Sequence, residues 1–104
     1  MVVSVRTPDP AEEHALRLAE SGRLHFGPAE VDALRRLFTG TTDEARLGLT
    51  ANVSADEVLA AALTAVARWR ACEDDPFATS DSQEVCAVAI RACEAIHQAV
   101  RRTL

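Results

Sequence analysis

Apolar residues recur along this chain at helical spacing, in blocks separated by proline, glycine and acidic turns. The opening Val2 to Arg6 (VVSVR) is β-prone, and Pro8 and Pro10 then stop any strand, because proline fixes its own φ and restricts the residue before it. A short extended arm is expected over 1–8. Asp9 and Glu12 have capping-box spacing, Pro10 suits a first helical position and Gly22 a position just past a helix end. They predict a first helix over about 10–21, with Ala11, Ala15 and Leu18 facing inward. Gly27-Pro28 opens a second helix to about Thr39, with Val31, Leu34 and Phe38 on one face and Gly40 as its stop. Thr41 and Glu44 cap a short third segment, about 43–49.

The clearest helix signal begins at Ser54, where Ser54 and Glu57 form a capping box and Val53 and Val58 sit at staple positions. The periodic run continues to Cys72. Val58, Ala62, Ala65 and Trp69 form one line, Leu59, Leu63 and Val66 broaden it, and Ala60, Ala67 and Ala71 fill much of the rest. A helix apolar nearly all round is expected at the centre of a fold, with Trp69 in the middle of the core. After the acidic turn Glu73-Asp74-Asp75-Pro76, a last helix is expected from about Ser82 to Arg102, capped by Ser80 or Asp81. Its inward stripe is Val85, Ala89, Ala92, Ile96 and Val100, and Glu84, Arg91, Glu94, Gln98 and Arg102 face water. The expected fold class is all-α: a bundle of four to five helices over 9–104, one domain, behind the extended arm.

Composition narrows what such a bundle can do. A chain of 104 residues, 48% hydrophobic, supports one core and not two. It has 20 Ala and 11 Arg but no Lys and no Tyr, which removes Schiff-base lysines, phosphate-loop lysines and tyrosine acids. The net charge of −5 is spread along the chain without a basic segment, which disfavours nucleic acid and anionic membranes as partners. The longest largely apolar uncharged stretch, Val58 to Ala67, is far short of the roughly 20 residues that span a bilayer. Three cysteines, an odd number, and no leader-like start point to a reducing, cytoplasmic setting. Arginine in place of lysine and abundant alanine fit a bacterial genome of high GC content.

The candidate chemistry is sparse. Cys86, Cys93 and His97, with Cys72 on the preceding helix, have the ligand types of a zinc site. On one helix, however, Cys86 and His97 are about 16 Å apart along the axis, and only Cys93 and His97 could chelate together. The thiols are expected to be reduced, buried and apolar, with no metal and no cofactor; a Cys72–Cys86 disulfide across the helix hairpin stays open as a minor alternative. His14 and His25 are expected to be partly exposed, and the acidic turn to be a solvated loop without a calcium-loop pattern.

Two stretches resemble known families. Val3-Ser4-Val5-Arg6-Thr7-Pro8, then Ala11, Ala15, Leu18 and Ala19, then Gly22 and Glu30-Val31, resemble the ribbon-helix-helix family of dimeric DNA-binding proteins. The resemblance implies that two arms pair as a ribbon in the major groove, with Val2, Ser4 and Arg6 facing DNA and the amides of Ala29 and Glu30 approaching phosphate. The connection from Gly22 to Glu30 is longer than that family's turn, and residues 1–40 carry five Arg against six acids. Asp81-Ser82 resembles the modified serine of acyl carrier proteins, but Ser80 and Gln83 flank it where that family has a glycine and a large apolar residue. The function expected is non-enzymatic: a small helical protein-interaction or oligomerisation module that binds a protein partner or forms a homodimer. Val2, Val3, Val5, Leu24 and Phe26 are its expected contact residues. A dimeric ribbon-helix-helix-like DNA-binding protein is the alternative.

Overall fold

Each helix begins where a side chain can satisfy the first free amides. In the computed structural model, which describes residues 7–104, five helices occur: α1 (Pro10–Glu20), α2 (Pro28–Thr39), α3 (Asp43–Arg46), α4 (Ala55–Glu73) and α5 (Ser80–Arg102). No strand occurs among the described residues, and the expected arm, with Val2, Val3 and Val5, lies outside them. The Asp9–Glu12 capping box is present in both directions, the Glu12 amide donating to Asp9 at 2.8 Å and the Asp9 amide to Glu12 at 3.2 Å. Ser54 caps α4 by accepting from the Glu57 amide. Past α1, Gly22 takes φ +77°, a left-handed conformation that glycine adopts without steric strain.

Three expected caps or ends move. Thr79, and not Ser80 or Asp81, starts α5, because Thr79 and Ser82 form a reciprocal capping box in which Ser82 is buried. Thr42, not Thr41, caps α3. That helix is one turn long and stops at Arg46, since Gly48 turns the chain with φ +75°.

The centre of the bundle is α5, not α4. Nine residues of α5 are buried, from Ser82 to Ile96, and they are packed by α4 on one side and by α1 and α2 on the other. By contrast α4 buries one line, Val58, Ala62, Val66 and Trp69, while Ala60, Ala67 and Ala71 are exposed and Leu63 is 56% exposed. Periodicity reports how apolar a helix is, not how many neighbours the topology supplies, and α4 has only one extensive neighbour. The expected line of α5 lies at the core, with Val100 partly buried at its end, whereas in α2 Leu37 joins Leu34 and Phe38 and the expected Val31 is only half-buried, outside the core cluster. In α1, Ala11 is exposed and Glu12 takes the buried place.

Glu12 is buried because Arg46 meets it. The Arg46 side chain, 9% exposed, lies 3.6 Å from the Glu12 carboxylate and donates from Nε to the Leu37 carbonyl at 2.8 Å. Gly40 makes room: a Cβ there would stand 2.6 Å from the Arg36 carbonyl and 2.8 Å from Arg46 Cγ. The guanidinium thus ties the α2–α3 corner to the start of α1 with charged hydrogen-bonding geometry inside a largely apolar setting.

Trp69 is 2% exposed and meets Phe26 edge to face, with ring centroids 6.1 Å apart. Trp69→Ala is expected to lower the unfolding free energy by about 3–5 kcal/mol, measured by denaturant titration; a loss under about 1 kcal/mol would show that the site collapses without strain.

Candidate functional site

Two features outside the core carry candidate chemistry: a cavity at one end of the α4–α5 hairpin, and the uncovered face of α4. The cavity, about 170 Å³, is lined by His25 and Phe26 from the α1–α2 connection, Glu30 from α2, Cys72 from α4, Asp75, Phe77 and Ala78 from the following turn, and Ser82 from α5. Local sequence explains how these residues are held. Pro28 starts α2 so that Glu30 falls in its first turn. Asp75 accepts the Phe77 amide at 2.8 Å, which folds the acidic turn back and leaves the Phe77 ring 82% exposed at the rim.

One of the three cysteines, Cys72, lines this cavity. Cys72 is half-buried on the cavity wall and Cys86 is fully buried on α5, near enough across the hairpin that each bears on the other's titration. Burial raises the Cys72 thiol, and the carboxylates of Glu30 and Asp75 push the same way while Arg68 opposes them. Cys86 is pushed up to about 12, mainly by burial, and Cys93 to about 11 for the same reason. All three are thiols rather than thiolates near neutral pH, and all three are free.

The sequence-derived zinc ligands are not brought together. Among the described residues no group of three or more His, Cys, Asp or Glu converges as a metal site. His97 is half-buried, His25 is exposed at the cavity, and exposed His14 lies 3.8 Å from Glu84. Ser82, the serine of the carrier-like pair, is 5% exposed, and its hydroxyl donates to the Thr79 carbonyl at 3.0 Å within the helix cap. Leu24 and Phe26, expected at a partner surface, are half-buried and packed against the core, with Phe26 shared between Trp69 and the cavity.

On the second feature, Ala60, Leu63, Ala67 and Ala71 are spaced three or four residues apart and form one exposed stripe, with Thr64 beside it. Acidic Asp56 and Glu57 lie at its N-terminal end and Arg68 and Arg70 at its C-terminal end. Arg70 also reaches Glu94 of α5 at 3.6 Å, a solvent-exposed contact. Sequence reading found every residue of this stripe but assigned them to the interior, because a single chain does not show which faces have neighbours. No helix among the described residues is long and apolar enough to cross a membrane.

Comparison of the chain with protein-family models, with curated proteins and with solved structures finds no match in any of the three.

The raised thiols predict an alkaline limit to stability. The folded state holds these protons more tightly than the unfolded chain, so their contribution is complete below about pH 9 and is lost as pH rises towards 11 and 12. With no Lys and no Tyr in the chain, no other side chain ordinarily titrates there. Unfolding free energy is expected to fall between pH 9 and 11, and to fall less steeply in Cys86→Ala/Cys93→Ala; identical slopes in both proteins would refute the assignment.

Proposed function

We propose that this protein is a non-enzymatic helical self-association module that pairs through the open face of α4. The observation that carries the reading is the stripe Ala60, Leu63, Ala67 and Ala71, apolar in sequence yet uncovered in the folded chain. Small side chains let two helix axes approach to the short end of the ~8–10 Å range, and Leu63 supplies one larger knob.

The charges at the two ends select the partner. If two copies of α4 pair antiparallel about an axis between Leu63 and Thr64, Ala60 falls opposite Ala67 of the second copy, and Glu57 opposite its Arg70. The parallel arrangement would set like charges side by side and align the helix dipoles unfavourably. The stripe is therefore complementary to itself, which favours a second copy over a heterologous helix. A single helix pair lies at the small end of specific interfaces, so the association is expected to depend on concentration. The surface differs from the one expected at Leu24 and Phe26, whose apolar area is partly used inside the bundle.

Sedimentation of the purified protein over about 1 µM to 1 mM should show a monomer–dimer equilibrium. Leu63→Glu, at an exposed position, should shift it to monomer without loss of helicity. Arg70→Glu should weaken pairing, and Glu57→Arg combined with Arg70→Glu should restore it. A wild-type protein monomeric throughout would refute the reading, and failure of the charge exchange to restore pairing would refute the antiparallel arrangement.

A further inference from the structure

The cavity beside the α4–α5 turn takes no part in the proposed pairing, since none of its lining residues belongs to the α4 stripe. Its lining combines two chemistries. The first is aromatic: Phe26 is fixed edge to face on Trp69, and Phe77 stands 82% exposed at the rim although its backbone is pinned. The Phe77 amide donates to the Asp75 carboxylate at 2.8 Å and the Ala78 amide to the Asp75 carbonyl at 2.9 Å. A large ring is thus held in water at the mouth of a cavity, and covering it with an apolar guest is favourable.

The second chemistry is negative. Glu30 of α2 and Asp75 of the turn come from separate elements, and neither is in an ion pair among the described residues. Glu30 is half-buried and folds back over the start of α2, where a Cβ on Gly27 would lie 2.9 Å from Glu30 Oε2; the glycine leaves that space to the carboxylate. Asp75 spends Oδ1 on the Phe77 amide, which leaves its second oxygen to a further donor. The cations nearby do not neutralise this pair. Arg68 is drawn over the Trp69 ring, 5.2 Å from the centroid, and lines a separate, smaller cavity, while His25 is exposed at the wall. Glu73 and Asp74, next to Asp75 in the chain, add to the negative potential.

A cation suits this lining better than an anion, and an organic cation better than a metal ion. His25, Glu30, Cys72 and Asp75 all reach the cavity, yet no three such groups among the described residues converge as a metal site requires. The volume of about 170 Å³ holds an apolar body the size of one six-membered ring, since a cavity of about 150 Å³ takes benzene. Carboxylate oxygens accept hydrogen bonds, so an ammonium that carries N–H groups is held more firmly than a quaternary one.

We propose that the cavity binds a small primary ammonium ion bearing one ring-sized apolar group, the ammonium on Glu30 and Asp75 and the apolar group against Phe26 and Phe77. This site is additional to self-association and does not rest on it. Trp69, the only tryptophan, reports on the site, because Phe26 meets its ring and also lines the cavity.

The test is titration of the folded full chain with benzylamine near neutral pH, followed by Trp69 fluorescence and by amide shifts in the NMR spectrum. Saturable binding with a Kd of about 1 mM or tighter is expected, with the largest shifts at His25, Glu30, Asp75, Phe77 and Ala78. Benzyl alcohol, of similar shape but neutral, should bind about tenfold more weakly. Glu30→Gln and Asp75→Asn should each weaken benzylamine about tenfold and leave benzyl alcohol unchanged, whereas Phe77→Ala, at an exposed position, should weaken both. Circular dichroism checks that each variant keeps its helicity, and Leu63→Glu should bind as the wild type does. No saturable binding, shifts scattered over other acidic surfaces, or equal affinity for benzylamine and benzyl alcohol would overturn the site. Full affinity in both carboxylate variants would overturn its charge recognition, and benzyltrimethylammonium binding as tightly as benzylamine would overturn the choice of a primary ammonium.

Discussion

The breadth of the apolar band on α5 is the constraint on which the architecture rests. Its buried residues, Val85, Cys86, Val88, Ala89, Ile90, Ala92, Cys93 and Ile96 among them, take up more of the helix circumference than one neighbouring helix can cover. Two separate coverings are therefore required. The α4 helix folds back antiparallel through a short acidic turn and covers one side, while α1 and α2, each with a narrower stripe, cover the other. Because α5 takes the centre, α4 is left at the periphery with more apolar surface than the fold uses.

Arg46 sets how the smaller helices meet. A buried guanidinium loses hydration, which the Leu37 carbonyl and the Glu12 carboxylate offset only in a restricted geometry. The contact therefore contributes more to fixing the α2–α3 corner against α1 than to net stability, and the absence of a side chain at Gly40 is what allows the approach. The Glu12 carboxylate serves both the α1 cap and this contact, so one residue links helix initiation to tertiary packing.

The two surfaces with chemical potential both follow from the position of α4. Its outer side carries the stripe of Ala60, Leu63, Ala67 and Ala71 on which the proposed pairing rests, and its inner C-terminal end places Cys72 on the wall of the Glu30–Asp75 cavity. Each arises from a helix that is apolar almost all round but has one extensive neighbour.

The sequence alone determined the helix starts at Asp9, Pro28 and Ser54, the stop at Gly40, the all-helical class and most of the core lines, because caps, glycine stops and 3.6-residue periodicity act over a few neighbouring residues. It also held the cysteines and the alanine stripe in plain view. What only the tertiary structure decided was which apolar helix lies at the centre, that Glu12 is buried by a residue 34 positions away, and that Cys72 lines a cavity while, among the described residues, Cys93 and His97 gather no further ligands. Burial and proximity depend on which faces other segments come to occupy, and that is a property of the assembled chain, not of any local stretch of it.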